Sequence, residues 1–493
     1  MGCYLLGIDI GTTGTKALLF SDTGQLLGHS YRSYRTHTPQ VGFCEQDTED
    51  WWRAVKETVR ALCLHGDIAQ NVAAISLSLQ GGTGVPADAA GRPLRPAIVW
   101  NDQRCIQERE EFLQEVGSAE DMYQKTGWKL GNGLPALAIR WIRNHEPELF
   151  FRVARFMTVP DYISYRMTGI AVVDPSNFGI NQLGDIRRGG YDEKLLQFAG
   201  ITESLISPVV PTGTVIGPLT PQGAEELGLT TKTLLVSGAH DQYAVTTGAG
   251  ITNPGDILIS SGTSWVVTAL SDHPSFDNGL SQSISGIPGI WGSLLALSSG
   301  GIYLEWMRNN VISGSGADYA DINREATQRK AAEDMLFFYP SAGFCVPGTP
   351  FQKGTFLGLD LSHDRYHMAR AIMEGIAFQI TWMMESLPTS PPVTGIKLAG
   401  GASRSPLWCQ LLADISGYPI RIPEVADLAC VGAAIQAGIG CGIYANAEEG
   451  YRHMAIKEQV LYPQEKAGSQ YAFLKNEDRR RAALLGGVYG ILP

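Results

Sequence analysis

A chain of 493 residues with 44% apolar and 18% charged side chains is longer than one hydrophobic core normally organises, so two large globular domains are expected. The formal charge of −11 leaves no basic footprint for nucleic acid, and no run of about 18 apolar residues offers a membrane span. Eight cysteines without a C-x-x-C pair, behind no signal-like leader, suit a reducing cytosol.

The first predicted element is a hairpin. Apolar Leu5-Leu6-Gly7-Ile8 and Ala17-Leu18-Leu19-Phe20 flank Asp9-Ile10-Gly11-Thr12-Thr13-Gly14-Thr15-Lys16, which reads as a strand, a tight polar turn and a second strand. Gly11 and Gly14 are expected to take positive φ and let the backbone approach an anion, while Thr12, Thr13 and Thr15 offer hydroxyls and amides and Lys16 supplies positive charge. Asp9, at the strand end, is placed to hold a hydrated Mg²⁺. The spacing is neither that of a P-loop nor that of a dinucleotide fingerprint, and an ordinary Gly-rich hairpin is the alternative. A third strand-like run, Gln25 to Tyr34, follows the turn Asp22-Thr23-Gly24. A helix is predicted from near Thr48, with Trp51, Val55, Val59 and Leu62 on one face and Gly66 as its C-cap.

The strand over residues 72–79 runs into Gln80-Gly81-Gly82-Thr83-Gly84, and another apolar strand precedes Trp100-Asn101-Asp102-Gln103-Arg104. Ligands of α/β sheets collect at such strand ends, so both clusters are candidate substrate groups. A flexible turn and a capped helix start are the respective alternatives. Leu234 to Gln242 repeats the form and delivers Asp241, the candidate general base for a weakly acidic alcohol attacking a γ-phosphoryl group. A helix N-cap is the alternative for Asp241, and His240 reads as a core residue or a support for its neighbour. Asp256 to Val267 is a second hairpin, with Ser260-Ser261-Gly262-Thr263-Ser264 at its turn. Two such hairpins imply a duplicated fold. His363 and His367 read as surface residues of a helix, with no zinc expected. Residues 396–403 form a strand ending in Gly400-Gly401 before a helix from about Ser405 to Ser416. The paired glycines either admit a flat base or only permit close packing.

In order, and over nearly the whole chain, these motifs resemble the FGGY family of carbohydrate kinases, members of the actin-like ATPase superfold. The residues that carry the resemblance are the Asp9 to Lys16 loop, Pro96 to Arg104, Gly238 to Gln242, Ser261-Gly262-Thr263, Gly358-Leu359, Glu374-Gly375-Ile376-Ala377-Phe378 and Gly400 to Ser403. The resemblance implies an α/β fold of two actin-like (ribonuclease H-like) domains with a central cleft. Residues 1–248 would carry the sugar and the first phosphate loop, and residues 249–493 the nucleotide. It implies ATP and Mg²⁺, with Asp241 as catalytic base touching substrate and metal, and Asp9 as a metal ligand directly or through water. Thr12, Thr13, Lys16, Ser261, Gly262 and Thr263 would surround the phosphates. Gly301, Gly400, Gly401 and Ser405 would line the nucleoside pocket, and Gln80, Gly81, Gly82, Trp100, Asn101, Asp102 and Gln242 would face the sugar.

Glycerol kinases of this family carry Arg-Glu just after the glutamine matched by Gln80, and xylulose kinases carry Met-His. Gly81-Gly82 is therefore expected to widen the pocket and remove hydrogen bonds, and Gly343-Phe344-Cys345 departs from a common Gly-Glu-Arg. The pattern looks closest to xylulose-kinase-like members, so the expected small-molecule substrate is a ketopentose, D-xylulose first. Ribulose, glycerol and gluconate are alternatives, and a non-catalytic sugar sensor is a reading from another class. A chaperone-type ATPase or filament former would need extensions, and about one further helical segment follows Gly400. The same likeness implies a cytoplasmic enzyme without nucleic-acid or membrane partners, leaning toward a homodimer.

Overall fold

The computed structural model describes residues 2–64, 67–276, 280–312, 316–340, 353–387, 392–425 and 427–489. The chain forms two compact units, neither of them continuous in sequence. The first takes Met1–Thr252, Asp272–Ser293 and Val425–Ile456, and the second Asn253–Ser271, Leu294–Glu424 and Lys457–Pro493.

A six-stranded sheet organises the first unit, in the order Val215–Pro218, Leu234–His240, Val72–Leu79, Tyr4–Ile10, Gly14–Ser21, Leu26–Ser33. Tyr4–Ile10 pairs antiparallel with Gly14–Ser21 and parallel with Val72–Leu79, which lies parallel to Leu234–His240. Central parallel strands are covered on both faces, which is why these three read as nearly continuous apolar runs. The α-helix Thr48–Leu62 covers the face carrying Leu6, Ile8 and Leu19 with Trp51, Val55 and Val59. The opposite face, with Leu5, Leu18 and Val236, is covered by Leu428–Gly440 through Val431, Ala434 and Ile435. That helix comes so close that a Cβ on Gly7 would lie 1.8 Å from the Cys430 carbonyl oxygen.

The second unit repeats the same succession of directions. Asp256–Ser261 pairs antiparallel with Trp265–Ser271 and parallel with Gly395–Gly400, which is parallel to Ile420–Pro423, itself antiparallel to Glu458–Leu461. The matching last pair of the first unit is Leu234–His240 with Val215–Pro218, also antiparallel. The two hairpins thus open two copies of one sheet.

The helix predicted from Thr48 starts after an Asp47 cap and ends at Leu62 with Cys63 beyond it. Gly66, read as its cap, lies outside the described residues, as does Gly343-Phe344-Cys345. His363 is not on a helix surface: it precedes Arg365–Ser386, its side chain is 1% exposed, and its Nδ1 accepts from the Asp360 N–H at 3.0 Å. No helix among the described residues is long and apolar enough to cross a membrane.

Candidate active site

The first hairpin closes through Gly11 N–H donating to the Gly14 carbonyl at 3.1 Å. Neither glycine takes positive φ, contrary to the expectation for a bent loop. Gly14 is needed for space instead, because a Cβ there would stand 2.6 Å from both the Arg32 carbonyl oxygen and the Tyr31 ring of the adjoining strand. Around Gly11 the backbone is open, the nearest atom to a Cβ being 3.7 Å away. The Thr12 hydroxyl donates to Gln80 Oε1 at 3.2 Å and accepts from Trp100 Nε1 at 3.4 Å. Thr13 is exposed, its carbonyl accepting from Tyr34 N–H at 3.2 Å.

Gln46 ties this loop to the end of the next strand. It is 1% exposed and belongs to a small four-stranded sheet with Ala97–Ile98, Gly84–Ala87 and Arg155–Thr158. Its Nε2 donates to the Thr12 carbonyl at 2.6 Å, and its Oε1 accepts from Gln80 Nε2 at 3.0 Å and Trp51 Nε1 at 3.1 Å. Sequence reasoning passed over Gln46, since a glutamine just before a helix cap carries no local signal.

Asp9 is buried, its Oδ1 accepting from Ser78 Oγ at 2.7 Å. Burial and the charge of Asp427 push its pKa from 3.8 up to about 7; Asp241 adds to the rise, while the Ser78 hydrogen bond and Lys16 oppose it. The partly exposed Lys16 has its Nζ 2.6 Å from Asp427 Oδ2. Burial works against that ammonium, but Asp427 outweighs it and the Lys16 pKa lies above its ordinary value. Asp427 was not foreseen. It caps Leu428–Gly440 by accepting from Cys430 N–H at 3.0 Å, and its only sequence signature is that of an ordinary N-cap.

Asp241 opens the helix Asp241–Gly248 but does not cap it. The cap is His240, whose Nδ1 accepts from Gln242 N–H at 3.3 Å. Asp241 Oδ1 is buried without a hydrogen-bond partner. It stands 3.1 Å from His240 Nδ1, yet a nitrogen that accepts from Gln242 has no proton to give, so this proximity is not an ion pair in the neutral ring. The carboxylate is left uncommitted, able to accept a proton or face a cation.

Three carboxylates against one lysine fit a divalent cation, which would relieve the repulsion that keeps Asp9 protonated. Among the described residues, no three His, Cys, Asp or Glu side chains converge to hold a metal by themselves. Its remaining ligands would be water and phosphate oxygens, the shell that Mg²⁺ favours.

Gly81-Gly82 does not widen the pocket. A Cβ on Gly81 would stand 2.5 Å from His240 Cδ2 and 3.1 Å from Asn177 Oδ1, and one on Gly82, at φ +68°, 2.7 Å from Leu134 Cδ2. Side chains from other segments fill the room that the two glycines vacate. Trp100 and Asn101 are exposed at their strand end, and the Gln242 Oε1 atom is buried and unpartnered. Asp102 is different: fully buried, its carboxylate grips Arg104 Nε at 2.9 Å and Nη2 at 2.8 Å and accepts from the Cys44 N–H.

In the second unit the hairpin turn supports a helix. The Gly262 carbonyl accepts from Gly301 N–H at 3.1 Å and the Thr263 carbonyl from Gly300 N–H at 3.0 Å, where Gly301–Asn310 begins. Ser261 Oγ donates to the Ala399 carbonyl at 2.6 Å and accepts from Ala402 N–H at 3.0 Å. Ser405 caps Pro406–Ser416 through Trp408 N–H at 3.1 Å and donates to Asn323. Both hydroxyls therefore serve the fold. Gly400, at φ +93°, would put a Cβ 2.0 Å from the Ser261 carbonyl oxygen, so close packing explains it; at Gly401 the nearest atom would be 3.8 Å away.

A duplicated ribonuclease H-like sheet with a polar hairpin in each copy, and a free carboxylate at a strand end of the first, define a phosphotransferase of the actin-like ATPase class. The chain belongs to the FGGY family of carbohydrate kinases, whose N-terminal domain matches residues 4–248 and whose C-terminal domain matches residues 257–441. It is 30% identical to gluconokinase from Bacillus subtilis (strain 168) over 486 residues, 93% of each chain. It is 29% identical to L-xylulose/3-keto-L-gulonate kinase from Escherichia coli (strain K12) over 477 residues, 95% of this chain and 94% of that one. Among solved structures, xylulose kinase from Rhodospirillum rubrum matches with a TM-score of 0.91 and 28% identity, covering 99% of both chains. The family uses ATP as phosphate donor, generally with a metal ion, and the enzyme is a phosphotransferase with an alcohol group as acceptor.

Proposed function

We propose that the enzyme transfers the γ-phosphoryl group of ATP to a hydroxyl of a ketopentose, D-xylulose first, with Asp241 as general base. The observation that carries this reading is the buried, unpartnered Asp241 Oδ1 on a residue that its own helix does not use. A sugar hydroxyl attacks phosphorus poorly unless its proton has somewhere to go, and a fixed carboxylate accepts it as the new bond forms. Asp9 and Asp241 would hold Mg²⁺, which supplies neutralising charge to the phosphates. Lys16, paired with Asp427 at 2.6 Å, would turn to a phosphate oxygen, with Thr12 and Thr13 beside it. The sugar groups and the first phosphate hairpin lie in the first unit. The second unit would take the nucleotide through the Ser261-Gly262-Thr263 backbone, the start of the Gly301 helix and the open surface at Gly401. The free thiols of the described cysteines support a cytoplasmic setting.

Gluconate is the second reading, favoured by the 30% identity to a gluconokinase. A coupled ADP-release assay over ketoses, polyols and aldonates decides: turnover of pentuloses is expected, and strong turnover of gluconate or glycerol with none of pentuloses rejects the ketose assignment. Asp241→Asn should lower transfer about 10²- to 10⁴-fold while ATP still binds. Retention of most of the rate would remove Asp241 from the role of base.

A further inference from the structure

We infer that Asn177, Gln182 and His240 form a subsite beside Gly81 that reads hydroxyl groups and disfavours a carboxylate, which makes the substrate a neutral polyhydroxylated chain. This deepens the ketose reading above and rests on it.

The amide orientations are set by partners that can only accept. Asn177 is 1% exposed, and its Nδ2 donates to Asp174 Oδ2 at 2.7 Å, which leaves Oδ1 unpartnered and aimed at Gly81, 3.1 Å from where a Cβ there would lie. Gln182 is 0% exposed and held at φ 58°, a conformation that costs a non-glycine residue energy and clusters at binding sites. Its Nε2 donates to the Lys129 carbonyl at 2.8 Å and the Trp128 carbonyl at 3.3 Å, which leaves Oε1 unpartnered. The Trp128 ring stands 5.8 Å from the His240 ring. With Nδ1 accepting from Gln242 N–H, the ring proton sits on Nε2, on the Gly81 side.

A buried acceptor without a donor is unfavourable, and several of them, with Asp241 Oδ1 among them, are retained around one strand end. A ligand hydroxyl supplies the missing proton and can accept from His240 Nε2 in return. A carboxylate supplies none and would set negative charge against carbonyl oxygens. Gly81 is part of the same device, because any side chain there would displace the imidazole.

Two measurements test this. Calorimetric titration of the nucleotide-free enzyme with D-xylulose and with gluconate reads the subsite independently of transfer; tighter binding of the ketose is expected, and equal or tighter binding of gluconate overturns the inference. In steady-state kinetics, deoxy analogues of the pentulose on the unmodified enzyme should lose about 10- to 100-fold in kcat/KM for at least one hydroxyl position. Asn177→Ala and Gln182→Ala should raise the sugar KM about tenfold and leave the ATP KM unchanged. A flat deoxy series overturns the inference even if a variant fails to fold. So does aldonate turnover that collapses on Lys129→Ala, which would assign the recognition to the exposed Lys129 ammonium while the kinase reading stands. Failure to phosphorylate any sugar, with ketose binding intact, would instead sink the kinase reading and leave the subsite standing.

Discussion

Asp9 holds a proton that an exposed aspartate would have lost, because burial and the charges of Asp427 and Asp241 outweigh the Ser78 hydrogen bond. In the unfolded chain the group titrates near 3.8, so from there to about pH 7 the native state binds a proton that the unfolded state does not. Stability therefore falls as pH rises through that window and levels off above it, by a few kcal/mol at most at about 1.4 kcal/mol per unit. Melting temperatures measured in a chelator between about pH 5 and pH 8 should decline, and Asp9→Asn should flatten the profile. Added Mg²⁺ should raise the melting temperature more at the alkaline end, where it no longer competes with a proton. A chelated wild-type protein with a level profile would rule out this account of Asp9. At this scale Asp9 and Asp241 were legible, because a carboxylate at the end of an apolar strand stands out. Asp427 and Gln46 were not, since each has an ordinary local role and meets the hairpin only after folding. Gly81 was misread for a related reason: what occupies the space over a glycine is decided by another segment, here His240.

The elements themselves were largely readable. The strand over residues 72–79 and both hairpins follow from apolar runs broken by small polar turns, and the helix ending at Ser416 begins after Ser405 as its cap chemistry indicates. What the pattern did not distinguish was the work of Gly400 from that of Gly401. Gly400→Ala would force a Cβ to 2.0 Å from the Ser261 carbonyl oxygen at φ +93°, and a loss of about 3 kcal/mol or more is expected in thermal or denaturant unfolding. Gly401→Ala should unfold much like the parent, since its nearest neighbour lies 3.8 Å off, yet should weaken ATP in a nucleotide titration if that open surface takes the base. Equal stability losses in both variants would contradict the distinction.

For the molecule as a whole, the discontinuous partition matters most. Val425–Ile456 packs with the first unit, and its helix Leu428–Gly440 is apolar on nearly every side, so sequence alone could assign it to either sheet. Without it, Leu5, Leu18 and Val236 lose their cover. A fragment of residues 1–252 is expected to bind a hydrophobic dye and aggregate, and a peptide of residues 425–456 should suppress both. A monomeric, cooperatively unfolding fragment with no dye binding would show that the sheet stands without that helix. The same threading sets a timetable for synthesis. While ribosomes read through Asn253 to Glu424, the nascent chain already carries a half-covered sheet that nothing yet translated can close, so newly made protein should depend on holding chaperones until the codons of Leu428–Gly440 have passed.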